Sequence, residues 1–196
     1  MVMVGMICRK VISEYAKAIH ELSMDLAGKL GQSIGMVRSD LFEGWASQFR
    51  FNKYDFTSKT GRSGVEMHTD SGFLTILQVD ENVSGLEVMD KSGSFIPVDH
   101  QPGTLLVNLG DVARAWSNGR LWNVKHRVQC KEAAVRYSIA SFLLGPKDSV
   151  VEAPPELLDF ENPRLYIPFT FNDYREFRLK TKLITGQALE LMRINA

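Results

Sequence analysis

The sequence has little cysteine, no surplus of charge and no long apolar run, and each shortage excludes a class of protein. Its 196 residues include only two cysteines, which cannot build a disulfide scaffold and are typical of a reducing compartment. The 23 Lys and Arg residues balance the 23 Asp and Glu residues, whereas nucleic-acid and anionic-membrane binders need positive charge in excess. The apolar start MVMVGMIC is too short to span a membrane, and its charges follow it, unlike those of a secretion signal. We therefore expect a cytoplasmic protein with no nucleic-acid or membrane partner.

The first part of the chain has the apolar periodicity of helices. Hydrophobic residues make up 44% of the chain, an ordinary globular composition, and the length fits one domain. Apolar residues recur every three or four positions from Arg9 to Leu30, which predicts an amphipathic helix that ends at Gly31. A second, shorter helix is predicted from Ser39, a suitable N-cap, to Trp45.

The rest of the chain is dominated by short strand patterns. After Trp45, runs rich in Val, Ile, Phe and Thr recur about every ten residues between turn residues. The predicted strands are 48–56, 65–68, 74–79, 86–89, 95–98, 104–109, 124–129 and 135–144, with helices at 111–116 and 172–184. Many short strands without alternating helices indicate an antiparallel sandwich or barrel.

Two histidines and an aspartate have the spacing of a metal site. His68 and Asp70 are two residues apart at the end of a predicted strand, so both side chains point to one face. His126 lies on another predicted strand, which could cross the barrel and present a third ligand. Two His and one carboxylate form the facial triad of non-haem Fe(II) oxygenases. Alone, His-x-Asp is more often a solvated strand end, and Glu66 on the same face is an alternative ligand.

A second pair of polar residues lies inside an apolar strand. Arg136 and Ser138 share one face of the predicted strand 135–144, where a buried arginine needs an anionic partner. A dicarboxylic acid that chelates the metal would supply this partner, since arginine binds carboxylates through two parallel bonds. Asn52 and Tyr54, also two apart, could hold the other end of the acid, although Tyr54 is equally consistent with a core aromatic residue.

Five segments carry a resemblance to a known family. The runs HTDSGFLTILQ, GLEVMD, PGTLLVNLGDVARAWSNG, NVKHRV and RYSIASFLLGP resemble the plant 2-oxoglutarate and Fe(II)-dependent dioxygenases, and most of all the branch that oxidises auxin. The resemblance implies a mainly β fold with flanking helices, the double-stranded β-helix or jelly roll. It also implies the following site: His68, Asp70 and His126 on iron; Arg136, Ser138, Tyr54 and Asn52 on 2-oxoglutarate. Asp55 stands where the family usually has proline after the tyrosine.

The resemblance further implies an activity and a domain organisation. Fe(II), 2-oxoglutarate and O2, with ascorbate as reductant, would convert indole-3-acetic acid to 2-oxindole-3-acetic acid. The expected organisation is a helical segment over 1–46, the dioxygenase domain over 47–146 and a C-terminal extension with a helix over 147–196. The family's N-terminal helices and first strands have no counterpart in this sequence, so we expect an N-terminally truncated jelly roll.

Three other functions stay open at this point. One is a related dioxygenase acting on a gibberellin-type or flavonoid-type metabolite, and another is a truncated, non-catalytic relative. The third is a zinc hydrolase, for which Arg136 and Ser138 would have no purpose. No residue is assigned to substrate binding, because the aromatic candidates are expected in the core. These candidates are Phe73, Trp116, Trp122 and Phe142.

Overall fold

The computed structural model describes residues 2–38, 40–58 and 61–194, with side chains from residue 8 onward. Its helices are α1 (Val2–Ser33), α2 (Asp111–Trp116), α3 (Phe171–Thr181) and α4 (Gln187–Glu190), with a 3₁₀ turn at Pro155–Leu157. Its strands are β1 (Trp45–Asp55), β2 (Ser63–His68), β3 (Leu74–Val79), β4 (Leu86–Met89), β5 (Phe95–Pro97), β6 (Leu106–Leu109), β7 (His126–Gln129), β8 (Val135–Pro146), β9 (Val150–Val151) and β10 (Phe169–Thr170). None of the helices in these ranges is both long enough and apolar enough to cross a membrane.

Eight strands form two four-stranded antiparallel sheets. The first sheet has the order β1-β8-β3-β6 and the second the order β2-β7-β4-β5, and β9 and β10 form a separate pair. The first four strands therefore alternate between the sheets, and every pairing within the two sheets is antiparallel. This arrangement is the double-stranded β-helix, so the fold predicted from the sequence is confirmed.

The inner faces of the two sheets enclose both an apolar cluster and a cavity. Period-2 alternation turns Arg136, Ser138 and Ala140 of β8 toward the cavity, together with Asn52 and Tyr54 of β1. Beside it lies a small buried cluster: Phe56, Val79, Leu86, Val128 and Cys130. The polar cavity is thus walled by sheet residues whose neighbours along each strand face outward.

Helix α1 covers the outer face of the first sheet. The Tyr15 hydroxyl donates to Oε1 of Gln78 on β3 at 2.7 Å, and its ring lies 5.6 Å from that of Phe49 on β1. Ile19 and Ala27 are buried in the main core, whereas Ile12, on the predicted apolar stripe, is exposed. The helix therefore closes the side of the sheet that faces away from the cavity.

Helix α1 continues beyond the predicted end at Gly31. A Cβ on Gly31 would lie 3.1 Å from the Leu41 side chain, so this glycine is needed for close packing and not for the turn. The turn comes at Gly35, whose φ of +94° is left-handed. The amide of Met36 donates back to the Gly31 carbonyl at 3.0 Å, a pattern that ends many helices.

The second predicted helix, from Ser39 to Trp45, is wrong. Residues 41–44 form turns and β1 begins at Trp45, while Ser39 lies outside the described residues. Gly44, with φ +75°, interrupts any helical continuation. Phe42 and Trp45 pack edge to face in the core instead, with ring centroids 5.0 Å apart.

The C-terminal helix α3 matches its prediction except at its end. The Thr170 side chain accepts a bond from the Asp173 amide at 3.1 Å and so caps the helix. The helix stops at Lys182, which has a left-handed φ of 60°. It buries Phe171, Tyr174 and Arg178, of which the last is a charged residue.

Candidate active site

The structure brings His68, Asp70 and His126 together at one end of the second sheet. His68 and His126 are direct cross-strand partners on β2 and β7, so the two ligand strands are neighbours and do not cross the barrel as expected. Asp70 lies past the end of β2, in the ligand loop, which we define as residues 69–73. Nε2 of His68 lies 3.5 Å, and Nε2 of His126 3.8 Å, from Oδ1 of Asp70. One donor atom from each residue falls within 4.8 Å of the others, which suits a single metal ion.

The outer nitrogen of each histidine is engaged by a backbone carbonyl. Nδ1 of His68 lies 2.8 Å from the Glu66 carbonyl oxygen, and Nδ1 of His126 lies 3.3 Å from that of Val124. A carbonyl oxygen accepts, so each Nδ1 carries a proton, and each Nε2 is the nitrogen that faces Asp70 and would bind a metal. Glu66 thus contributes its backbone, and its side chain is exposed outside the ligand group.

Two polar side chains orient the Asp70 carboxylate. Its Oδ2 accepts bonds from Thr75 Oγ1 at 2.5 Å and Asn108 Nδ2 at 2.9 Å, which leaves Oδ1 toward the histidines. Burial by itself would raise the pKa of Asp70, but the bond to His68, the charge of His126 and these two donors lower it well below its ordinary value. Burial also lowers the pKa of His126, against the pull of Asp70. Both shifts favour the forms that bind a metal, an ionised carboxylate and a neutral imidazole.

Arg136 is a buried cation that forms no salt bridge with any of the described residues. Its side chain is 2% exposed, and its Nε has no hydrogen-bond partner. Its guanidinium lies 5.4 Å from the centre of the Tyr54 ring, and no carboxylate forms a salt bridge with it in the described part of the chain. Burial lowers the pKa of Arg136, and Tyr54 and Asp80 partly offset this effect. An arginine stays charged even so, and a buried charge of this kind requires an anion.

All seven site residues predicted from the sequence line the same cavity, of about 430 Å³. Asn52 faces Ser138 across the β1–β8 ladder and Tyr54 faces Arg136. Nδ2 of Asn52 donates to Oγ of Ser138 at 3.2 Å, so the amide holds the hydroxyl beside the guanidinium. The first sheet thus carries Asn52, Tyr54, Arg136 and Ser138, and the second sheet carries both histidines.

Two further cations line the outer part of this cavity. Arg50 of β1 lies opposite Ala140, and its guanidinium stacks 5.4 Å above the Phe142 ring. Arg175 of α3 also lines the cavity, and both arginines are exposed to solvent. Arg50 lies four residues from Tyr54, which is the cross-strand partner of Arg136. About 13 Å along the strand therefore separates Arg50 from the position of Arg136. A single small dicarboxylate held at Arg136 therefore leaves Arg50 free for another acid.

Sequence reasoning missed or misplaced several residues around the site. It assigned no role to Thr75 or Asn108, whose positions on β3 and β6 carry no local signal of a contact with Asp70. It treated Phe142 as a core residue, whereas the ring lines the cavity. It expected Trp122 in the core, but 70% of this side chain is exposed.

The comparison with known families decides the classification. The 2OG-Fe(II) oxygenase superfamily matches residues 45–145, more than half of the chain. This chain belongs to the 2OG-Fe(II) oxygenase superfamily. The resemblance seen in the sequence is thereby confirmed, and the metal and co-substrate of the superfamily are Fe(II) and 2-oxoglutarate.

The similar proteins include dioxygenases for auxin oxidation. The 2-oxoglutarate-dependent dioxygenase DAO of Oryza sativa subsp. indica is 54% identical over 183 residues, which are 92% of this chain and 61% of the rice protein. The crystal structure of the rice dioxygenase for auxin oxidation aligns with a TM-score of 0.90 and 52% identity, over 95% of this chain and 64% of that one. The Arabidopsis thaliana enzyme AtDAO1 in its 2-oxoglutarate complex aligns with a TM-score of 0.76 and 62% identity, over 80% and 59% of the two chains. The chain thus spans about three fifths of the length of these relatives.

The residues of this oxygenase fit the metal and the co-substrate of its superfamily. The three ligand atoms converge, and the buried Nε of Arg136 has no hydrogen-bond partner among the described residues, which suits an anionic ligand at this end of the cavity. A dicarboxylate that reaches from the metal to Arg136 would supply that anion.

Proposed function

We propose that this chain is a 2-oxoglutarate- and Fe(II)-dependent dioxygenase that oxidises indole-3-acetic acid to 2-oxindole-3-acetic acid. The observation that supports the reaction class best is the unpaired, buried Arg136 in the same cavity as a His2Asp ligand group. A zinc hydrolase needs only the ligand group and leaves this buried cation without a function.

Each part of the cavity has a separate task in this proposal. Nε2 of His68, Oδ1 of Asp70 and Nε2 of His126 would hold Fe(II), and Arg136 with Ser138 would hold the far carboxylate of 2-oxoglutarate. When bound, Fe(II) supplies an oxidising centre at which 2-oxoglutarate and O2 give succinate and CO2 and one oxygen atom passes to the substrate.

The surrounding residues set the protonation of the histidines, orient the groups that would bind 2-oxoglutarate and keep water out of the cavity. The Glu66 and Val124 carbonyls keep both histidines in the tautomer that can bind a metal. Tyr54 lies against the Arg136 guanidinium, and Asn52 holds the Ser138 hydroxyl. The apolar side chains of Val65, Leu77, Leu86 and Val128 line the cavity and exclude water from it.

The choice of an aromatic acid as substrate rests on the outer part of the cavity and on the relatives. Phe142 offers a ring for stacking, and Arg50 and Arg175 offer cations for a carboxylate other than that of 2-oxoglutarate. The similar rice protein is named as a dioxygenase for auxin oxidation. Both cysteines are free thiols, which supports a cytoplasmic location, with ascorbate available to keep the iron reduced.

The first experiment measures coupled turnover. The purified chain is incubated with Fe(II), ascorbate, 2-oxoglutarate and indole-3-acetic acid, and succinate and oxindole product are quantified by mass spectrometry. Equal amounts of both are expected, and the His126→Ala variant should form neither. His20→Ala is the matched control, because His20 lies on α1, bonds to Ser47 and does not line the cavity. Retained turnover in His126→Ala would contradict the ligand assignment.

The second experiment tests the substrate class. Indole-3-acetic acid is compared with its uncharged amide, with a gibberellin and with a flavonoid, each in the wild type and in an Arg50→Gln, Arg175→Gln double variant. The double variant should raise the KM for the acid at least about tenfold, because a charge-assisted bond contributes roughly 1.5 to 3 kcal/mol. It should leave the KM for 2-oxoglutarate unchanged. Preference for the neutral flavonoid would favour that related dioxygenase activity, and binding of metal and 2-oxoglutarate without turnover of any substrate would favour a non-catalytic relative.

A further inference from the structure

A buried polar network connects the C-terminal helix to the metal ligands. Asp111, at the first position of α2, is fully buried and accepts bonds from Tyr174 Oη at 2.6 Å and Asn123 Nδ2 at 2.5 Å. It also pairs with the Arg178 guanidinium of α3. Asp111 does not cap α2, since the N-cap position belongs to Gly110 and receives no side-chain bond.

Arg178 holds Thr69, the residue between His68 and Asp70. Its Nη2 donates to the Thr69 carbonyl oxygen at 2.7 Å, and its Nη1 lies 3.2 Å from the Thr69 hydroxyl. The Thr69 amide in turn donates to the Ile184 carbonyl at 2.9 Å, and Nη2 of Arg178 donates to the same carbonyl at 3.0 Å. Every polar atom of Thr69 is therefore bonded to α3 or to the segment just after it.

The start of α2 holds the other side of the ligand loop. The Asp111 amide donates to the Asp70 carbonyl oxygen at 2.8 Å, and the Val112 amide donates to that of Gly72 at 3.1 Å. The side chain of Asp111 binds Arg178 while its amide binds the loop, so one residue joins both supports. Thr69 is the only residue between His68 and Asp70. The orientation of its two flanking peptide units therefore sets how the His68 and Asp70 side chains lie relative to each other.

We propose that Arg178 and Asp111 are positioning residues that fix the Thr69 backbone and thereby set the geometry of the metal site. The superfamily match ends at residue 145, so this contribution comes from a helix beyond the matched region. The burial of the network also raises the pKa of Tyr174, which keeps its hydroxyl as a donor to Asp111. The inference uses the metal site of the proposed function, but its test needs no turnover.

The test separates positioning from simple stabilisation. A double variant, Asp111→Asn with Arg178→Met, removes both buried charges together, so neither is left unpaired, and the new amide oxygen can still accept from one of the two donors, Tyr174 or Asn123. We expect a folded protein whose Kd for Co(II), titrated in place of iron, rises by about tenfold or more, because residues that orient metal ligands have effects of this size. Amide hydrogen exchange in peptides that cover residues 63–73 should become faster, and the Co(II) absorption spectrum should change.

Two further variants complete the design. Lys180→Met is the matched control, since it removes a cation from the exposed face of the same helix, where Lys180 pairs only with Glu176. Arg178→Lys keeps the charge beside Asp111, but a single ammonium cannot also reach both Thr69 atoms, so the same loss of Co(II) affinity is expected. This variant decides the question if the double variant fails to fold. A folded variant of either kind with the Co(II) Kd, spectrum and hydrogen exchange of the wild type would overturn the proposal, even if its turnover changed.

Discussion

Replacing Arg136 with methionine should stabilise the ligand-free protein and at the same time remove most of its affinity for 2-oxoglutarate. The arginine is 2% exposed and its Nε has no partner, so the folded protein carries a desolvated donor without compensation. An unsatisfied buried polar group costs about 1 to 3 kcal/mol. Methionine fills the volume of the arginine stem without that group, and we expect the free energy of unfolding to rise by about this amount.

The expected effect on ligand binding has the opposite sign. A carboxylate at Arg136 would accept two charge-assisted bonds, each worth about 1.5 to 3 kcal/mol. The variant therefore loses at least about 3 kcal/mol of binding free energy, which raises the Kd for 2-oxoglutarate about 100-fold.

Two measurements on one variant decide the question. Urea denaturation of the ligand-free protein gives the free energy of unfolding, and calorimetric titration with 2-oxoglutarate in the presence of Co(II) gives the Kd. Arg127→Met is the control, because Arg127 already pairs with Glu87 at 2.8 Å and lies outside the cavity, so its loss should not stabilise the protein or change the Kd. Lower stability of the Arg136 variant would show that the guanidinium is satisfied without ligand. An unchanged Kd would show that the carboxylate binds elsewhere.

Three other substitutions test the surroundings of the site. Gly110→Ala should cost at least about 1 to 3 kcal/mol in urea denaturation, because a Cβ there would lie 2.3 Å from a carbonyl oxygen of the ligand loop. Gly28→Ala, in a helix with no atom within 4 Å of the new Cβ, should instead stabilise by roughly 0.5 to 1 kcal/mol, and equal effects of the two would refute this reasoning. Tyr174→Phe removes a donor from the buried Asp111 and should lower the unfolding free energy by about 1.5 to 3 kcal/mol, so an unchanged melting temperature in calorimetry would count against the network. Thr75→Val should weaken Co(II) binding roughly 10-fold or more by freeing the ligand carboxylate to rotate, and an unchanged Co(II) titration would contradict that role.

Local patterns predicted much of this fold because its strands are bounded by strong turn residues. The bounds predicted for β3, β4 and α2 agree with the structure, and in each case Gly or Asp lies next to the element. The shared face of Arg136 and Ser138 also follows from period 2 alone, and both side chains line the cavity. The roles of the seven predicted site residues on iron and 2-oxoglutarate stay predictions.

Contacts between distant parts of the chain were beyond such patterns. A period of two gives the face of a residue but not the partner strand, so the direct pairing of His68 with His126 could not be foreseen. Gly31 follows an apolar stripe and therefore resembles a helix end. It lies within α1 instead, where its lack of a side chain leaves space for the Leu41 side chain. The pairing of Asp111 with Arg178 has no local signal, because the two residues are 67 positions apart.

The division of the site between the two sheets couples ligand binding to the integrity of the barrel. His68 and His126 belong to the second sheet, while Arg136 and Ser138 belong to the first. A dicarboxylate would connect the two sheets, because one end would be held by a metal on the histidines and the other end by the arginine. A ligand that binds only the folded state stabilises that state by mass action. The ligand would therefore have to dissociate before the two sheets could separate. Metal and co-substrate together would thus set how often the barrel opens.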